Sequence, residues 1–171
     1  LSIFDLRDLT MPTLSGPFAP PIATNSLATG GYLYLALGPS GLSVMDISQP
    51  TKPREIARLA DEITTLSGDL TRPLAAISHT LYLSAGYAGL AIVDISDPTA
   101  PHSLGLFDTG GGPFDLAAAF GYLYVLTSNT LEVVDVSTPH APQIIDRLEL
   151  PSASRLAIYG NLALVSSRMC L

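Results

Sequence analysis

Apolar residues in this chain come in short bursts separated by Gly, Pro, Ser and Asn. The clearest stretch runs from 116 to 148. Leu116-Ala-Ala-Ala119 is a run of small apolar residues, Gly121 turns the chain, and Tyr122-Leu-Tyr-Val-Leu126 alternates in bulk. Ser128 and Asn129 turn it again into Leu131-Glu-Val-Val-Asp-Val136. After a proline-rich corner comes Gln143-Ile-Ile-Asp-Arg-Leu148. Four alternating runs joined by turn residues predict an antiparallel four-stranded meander.

The third of these runs recurs. Leu1-Ser-Ile-Phe-Asp5, Leu42-Ser-Val-Met-Asp46, Leu90-Ala-Ile-Val-Asp94 and Leu131-Glu-Val-Val-Asp135 lie 41, 48 and 41 residues apart, counted Asp to Asp. A proline follows each Asp by seven residues, at Pro12, Pro53, Pro101 and Pro142, and marks the repeat ends. Short strands at this period predict an all-β fold, a β-propeller of four-stranded blades with about four repeats in a single region spanning 1–171. Small residues such as Ser26-Leu-Ala28, Leu74-Ala-Ala76 and Leu156-Ala157 suit innermost strands crowded around an axis. In Leu33-Tyr-Leu35, Leu81-Tyr-Leu83 and Leu123-Tyr-Val125, a period of two sends the outer pair to one blade face and the tyrosine to the other. Both faces pack on neighbours, so both are apolar.

Composition fits this reading. Hydrophobic residues make up 47% and charged ones 13% of 171, which is a packed-blade signature and needs no membrane. The apolar run 116–126 contains Gly121 and is too short to cross a bilayer as a helix. A net charge of −7, with Lys52 the sole lysine, argues against nucleic acid as a partner. One cysteine, Cys170, excludes an internal disulfide and reads as a small hydrophobe.

Catalytic signatures are missing from the sequence. It holds no Gly-x-Ser-x-Gly elbow and no His-Glu-x-x-His helix. His79, His102 and His140 sit in turns or beside prolines, without metal-ligand spacing or evident carboxylate partners. Gly110-Gly-Gly112-Pro113 lacks the Lys-Ser/Thr of a phosphate loop and reads as a connection between blades. Asp5, Asp46, Asp94 and Asp135 read as structural turn residues that accept backbone N–H groups. The rival reading is calcium, from the Asp5/Asp8 and Asp94/Asp97 pairs; Gln49 and Thr138 at the matching positions of the other copies weigh against it. The expectation is no catalytic residue, no metal and no cofactor.

The segments 42–50, 90–98 and 131–139, with their Tyr-Leu-Tyr strands and following prolines, resemble the LVIVD repeat. That resemblance implies a β-propeller, usually bacterial or archaeal, often exported or surface-attached, and commonly one module of a longer chain with no assigned reaction. It also implies an Asp early in the innermost strand. Asp115 fits, while the equivalent slots are read as Ser26, Pro73 and Arg155, and Leu9 replaces a proline in the first copy. The seven extra residues of the 48-residue interval fall between Asp61 and Arg72. Glu62, Asp69, Arg72, Asp115 and Arg155, with Thr64 and Thr65, are therefore the candidates for a ligand-binding rim around the axial opening.

The two ends of the chain are in register. The strands near the C-terminus would be the first two of a blade and those near Leu1 the last two. This allows a closed four-blade ring or a stretch of a larger propeller, of which the second is favoured; two copies completing one ring is a third arrangement. The function expected is a noncatalytic scaffold that binds a protein or glycan outside the cell or on its surface. The alternatives are part of an enzyme with its catalytic groups elsewhere, or a spacer.

Overall fold

A computed structural model describes residues 4–5, 11, 13–14, 23–60 and 74–167. Strands dominate, and the helical content of these residues is two single 3-10 turns. Three complete four-stranded meanders follow one another. Blade 1 is β3 (Asn25–Thr29), β4 (Tyr32–Ala36), β5 (Leu42–Asp46) and β6 (Arg54–Leu59). Blade 2 is β7 (Leu74–Ile77), β8 (Thr80–Ser84), β9 (Leu90–Asp94) and β10 (His102–Phe107). Blade 3 is β11 (Asp115–Ala119), β12 (Tyr122–Leu126), β13 (Thr130–Asp135) and β14 (Gln143–Glu149). Two half-blades flank them: β15 (Ala153–Tyr159) with β16 (Leu162–Ser167), and β1 (Phe4–Asp5) with β2 (Thr13–Leu14).

The register is the same in every copy. Tyr32, Thr80 and Tyr122 on the second strands face Asp46, Asp94 and Asp135 on the third. Each Asp in turn faces the residue eight positions on, at Arg54, His102 and Gln143. Asp5 faces Thr13 by the same offset, so β1–β2 is a third-and-fourth-strand pair. The half-blade β15–β16 is a first-and-second pair. The two remain separate sheets among the described residues, so the closed four-blade ring that their matching register allowed is not formed, in keeping with the favoured stretch of a larger propeller.

Innermost strands β3, β7, β11 and β15 stand side by side, each touching the next. The period-two alternation then decides which neighbour each side chain meets. Tyr34, Leu42 and Val44 of blade 1 pack on Leu81, Leu83 and Val93 of blade 2. Tyr82, Leu90 and Ile92, on the opposite face of blade 2, pack on Leu123, Val125 and Val134 of blade 3. Leu126 and Leu131 meet Ala153, Leu156 and Val165 of the half-blade. Each fully buried Leu or Tyr here is worth roughly 1.5–3 kcal/mol. The hydrophobic fraction is spent between blades, as the alternation predicts.

In the three complete blades the pairing of third and fourth strands carries an irregularity, at Val44/Met45, Ser103/Gly105 and Val133/Val134. These bulges bend the outer edge of the blade and strengthen its twist. The turns between second and third strands are one-turn 3-10 segments in blades 1 and 2, Gly38–Ser40 and Gly86–Ala88, closed by Gly41 and Gly89 at φ 82° and 89°. A Cβ on Gly89 would run into the carbonyl of Phe107, and one on Gly41 into that of Leu59. Close approach to the outer strand therefore demands glycine at both places.

Candidate functional site

Two rims are distinguishable. On one, the turns after the third strands meet the hairpin turns between first and second strands: the N–H of Ile47 donates to the Gly31 carbonyl at 3.1 Å and that of Ile95 to His79 at 2.8 Å. The repeated Asp residues sit here. Asp46, Asp94 and Asp135 accept the backbone N–H of Ser48, Ser96 and Ser137 at 2.9, 2.7 and 2.8 Å. These are the Asx turns expected from the sequence. Hydrogen bonds from the hydroxyls and backbone N–H groups of Ser48 and Ser96, and from the backbone N–H and hydroxyl of Ser137, hold the three carboxyls below their ordinary range. Asp97 is occupied in its own turn with Thr99, through the N–H at 2.9 Å and the hydroxyl at 2.7 Å. The Asp94/Asp97 pair is thus two separate turns. The side chains of Asp5 and Asp8 lie outside the described residues.

On the same rim His102 departs from expectation: its Nε2 lies 4.0 Å from Asp94 Oδ2, its partner across the β9–β10 ladder. A hollow of about 410 Å³ is lined by Asp46, Ser48, Gln49, Lys52 and Arg54. Arg54 also reaches Asp46 Oδ2 at 3.4 Å. Among the described residues, no three His, Cys, Asp or Glu side chains gather as metal ligands would.

The opposite rim carries the connections between blades, and is where the sequence placed its ligand candidates. Glu62, Asp69 and Arg72, with Thr64 and Thr65, lie outside the described residues, as does Pro73. The connection 108–114 between blades 2 and 3 is described in full. Asp108 Oδ1 accepts the N–H of Gly110 at 2.7 Å, and the buried Thr109 hydroxyl donates to the Gly111 carbonyl at 2.6 Å. Ser84 of blade 2 donates to the Pro113 carbonyl at 3.1 Å, and the N–H of Phe114 donates to Leu126 of blade 3 at 2.7 Å. The connection is stitched to both blades. Beside it the 3-10 turn raises Tyr87, 89% exposed, with its backbone close to Gly112 of the connection. Sequence reading overlooked Tyr87, whose signal was an aromatic between two glycines where the third blade has Ser128 and Asn129.

The register corrects one slot. Asp115 faces Leu126 and Asn25 faces Ala36, so Asn25, not Ser26, is the counterpart of Asp115. Both accept the N–H of the next residue, at 3.0 Å for Asp115 and 2.8 Å for Asn25. Asp115 does more. Its Oδ2 accepts the backbone N–H of Leu156 on β15 at 2.9 Å, a bond from one blade to the next. Arg155, the next slot along, is exposed at the start of that strand. The structure brings Asp115 and Arg155 to neighbouring inner strands, with both Asp115 oxygens engaged by backbone.

Glu132 is the least expected group. The same register position holds Ser43 in blade 1 and Ala91 in blade 2, and Glu132 itself is 1% exposed. Its Oε1 accepts from Arg147 at 2.8 Å and from the Thr130 hydroxyl at 3.5 Å; Oε2 is buried with no hydrogen-bond partner. Burial pushes its carboxyl up, Arg147 and Thr130 pull it down, and Asp108 adds repulsion, with burial the largest influence. The signal was visible as the one charged residue inside the recurring strand pattern.

Repeated four-stranded wedges, packed face to face along a row of inner strands, define a β-propeller repeat module. The chain belongs to the LVIVD repeat family, whose model matches residues 23–61, 81–109 and 110–148. Among solved structures it is similar to the computationally designed Ika8 protein (TM-score 0.61, 15% identity, 83% of this chain and 42% of that one). It is similar also to the designed Ika4 protein (TM-score 0.62, 12% identity, 88% of each chain). A third is BamB from Moraxella catarrhalis (TM-score 0.59, 14% identity, 84% of this chain and 40% of that one). The chain thus spans about two-fifths of Ika8 and BamB. No curated protein matches it. No helix among the described residues is long and apolar enough to cross a membrane.

Proposed function

We propose that this chain is a noncatalytic binding module that presents its connection-side rim to a protein or glycan at the cell surface. The observation that carries the reading is a solvent-exposed aromatic, Tyr87, mounted on a glycine-closed turn beside a connection hydrogen-bonded to both flanking blades. A preformed rim loses little conformational freedom on binding, and an exposed tyrosine offers contact area with few rotatable bonds. Arg155 supplies a charge at the same mouth, and Glu62, Asp69 and Arg72 are assigned to the loop beside it. Location outside the cell follows the family resemblance and the near absence of cysteine.

The test immobilises the 171-residue chain and screens a glycan microarray and a panel of purified cell-surface proteins. Any hit is titrated against Tyr87→Ser and Arg155→Ala variants whose far-UV circular dichroism matches the parent. At least a tenfold loss of affinity in either variant supports the rim. Unchanged affinity in both excludes it.

A further inference from the structure

One polar island interrupts the apolar contact between blades 2 and 3. Around Glu132, Val125 and Val134 pack on Leu90 and Ile92 of blade 2. Two charged groups face the buried carboxylate. Arg147 lies across the β13–β14 ladder, its Nη2 2.8 Å from Oε1, and Asp108 at the start of the connection repels it. Tyr82 of blade 2 shares the apolar cluster, its phenol pushed above its ordinary value by burial and hence neutral near pH 7. The Thr130 hydroxyl is 3.5 Å from Glu132 Oε1 and 2.7 Å from the hydroxyl of the buried Thr127. Oε2 has no hydrogen-bond partner. An ionised carboxylate at 1% exposure is therefore tolerated here only while Arg147 stays on it.

The island supports the connection between blades 2 and 3 from below, and the connection supports the Tyr87 turn. A Cβ added at Gly110 would lie 3.7 Å from Arg147 Nη2, and one at Gly111 would lie 3.8 Å from Thr127 Cβ. One at Gly112 would lie 3.3 Å from the Gly86 carbonyl oxygen and 3.7 Å from the Tyr87 nitrogen. The three glycines thus touch, in order, Arg147, Thr127 and the turn that carries Tyr87. Glycines have no side chains to anchor them and the widest backbone freedom. What they lie on sets where they sit.

We infer that Glu132 is a positioning residue for the connection-side rim: with Arg147 it holds the connection 108–114, the connection holds the Tyr87 turn, and proton uptake by Glu132 loosens both. While Glu132 is ionised, its charge draws Arg147 onto Oε1 and keeps the guanidinium against Gly110. Protonation removes that attraction. Arg147, whose side chain is 49% exposed, then turns toward water, and Gly110 loses its support. Burial is the largest influence on the Glu132 carboxyl and raises it, and Asp108 adds to the rise. The change therefore falls above the ordinary glutamate value of about 4.3, in mild rather than strong acid. Its consequence, weaker ligand capture in mild acid, rests on the binding role proposed for this rim.

Amide exchange by NMR tests the positioning role on the whole chain with no ligand present, so its failure is separate from failure of the rim to bind. The Phe114 N–H donates to Leu126 at 2.7 Å, and its counterpart in blade 1, the Thr24 N–H, donates to Ala36 at 2.8 Å. Glu132→Gln keeps an oxygen for Arg147 and removes the charge. At neutral pH the variant should lower the protection factor of the Phe114 amide by at least about fivefold and leave that of Thr24 unchanged. In the parent, protection at Phe114 and at Gly89, whose N–H closes the Tyr87 turn on Gly86, should fall with the midpoint of the Glu132 carboxyl carbon signal. Asp108→Asn should move that midpoint down and keep the coupling, since one repulsive charge is removed. Equal Phe114 protection in the parent and a folded Glu132→Gln overturns the positioning role. So does a Phe114 midpoint that follows the Asp108 carboxyl instead of Glu132. Should Glu132→Gln not fold, the parent titration alone decides.

Discussion

Asp115 ties blade 3 to the half-blade that follows, and its replacement by asparagine isolates that tie. Asn25 shows what an amide does in this slot: it accepts the next N–H at 2.8 Å. Asp115→Asn should therefore keep the bond to Leu116 and lose the one to Leu156, because the amide nitrogen would then face the Leu156 N–H, donor against donor. A hydrogen bond to a charged group is worth roughly 1.5–3 kcal/mol. Asp115 is only partly buried, so water recovers some of the loss and about 1.5 kcal/mol is expected. For a chain of this size that lowers Tm by about 3–6 °C. Repeat arrays are stabilised by nearest-neighbour interfaces, so the damage falls first on β15–β16. Urea unfolding followed by circular dichroism gives the total, and amide exchange by NMR locates it. The Leu156 amide should lose protection while that of Leu123, one interface away, keeps it. Unchanged exchange at Leu156 with less than about 0.5 kcal/mol lost would refute the inter-blade bond.

Three further outcomes are expected. Gly89→Ala sets a Cβ against the Phe107 carbonyl at φ 89°, so chemical denaturation should show a loss of at least about 1–3 kcal/mol. Phe120 adopts φ 54° in a hairpin turn and is exposed; Phe120→Asn should gain about 1 kcal/mol in the same assay, since asparagine tolerates this conformation. Glu132 and the turn Asp residues should have opposite pH signatures. A carboxyl raised by burial stabilises the fold most below its unfolded value, and that contribution disappears as pH climbs through the elevated folded value. The lowered Asp46, Asp94 and Asp135 contribute above their unfolded value and lose that contribution as pH falls through the depressed ones. Glu132→Gln should thus abolish the decline above the ordinary glutamate value of about 4.3 and leave acid unfolding unchanged. Stability measured from pH 3 to 8 checks both, and an unaltered profile in Glu132→Gln would count against its buried charge.

Much of this was readable along the chain because each residue involved acts locally or by parity. The Asp-x-Ser turns need only a side chain and an N–H two residues on, so Asp46, Asp94 and Asp135 behave as their spacing predicts. The Tyr-Leu-Tyr strands need only alternation to send Tyr34 and Leu35 to different faces. The innermost slot was read one position late in blade 1, at Ser26 instead of Asn25, because a short strand of small residues has little hydrophobic pattern to set its register. The partner of Asp115 lies 41 residues away. No local signal points to it.

The sequence by itself determined the repeat, its strand count, the parity of each face and the chemistry of the recurring turns. All of these follow from a period of two, a period near 41 residues and the conformational preferences of Gly, Pro and Asp. Tertiary structure alone decided which atoms meet between blades: the Asp115–Leu156 bond, the burial of Glu132 beside Arg147, and the prominence of Tyr87. Such contacts depend on how one wedge leans on the next. A repeat pattern encodes that a neighbour exists but not which atoms it presents.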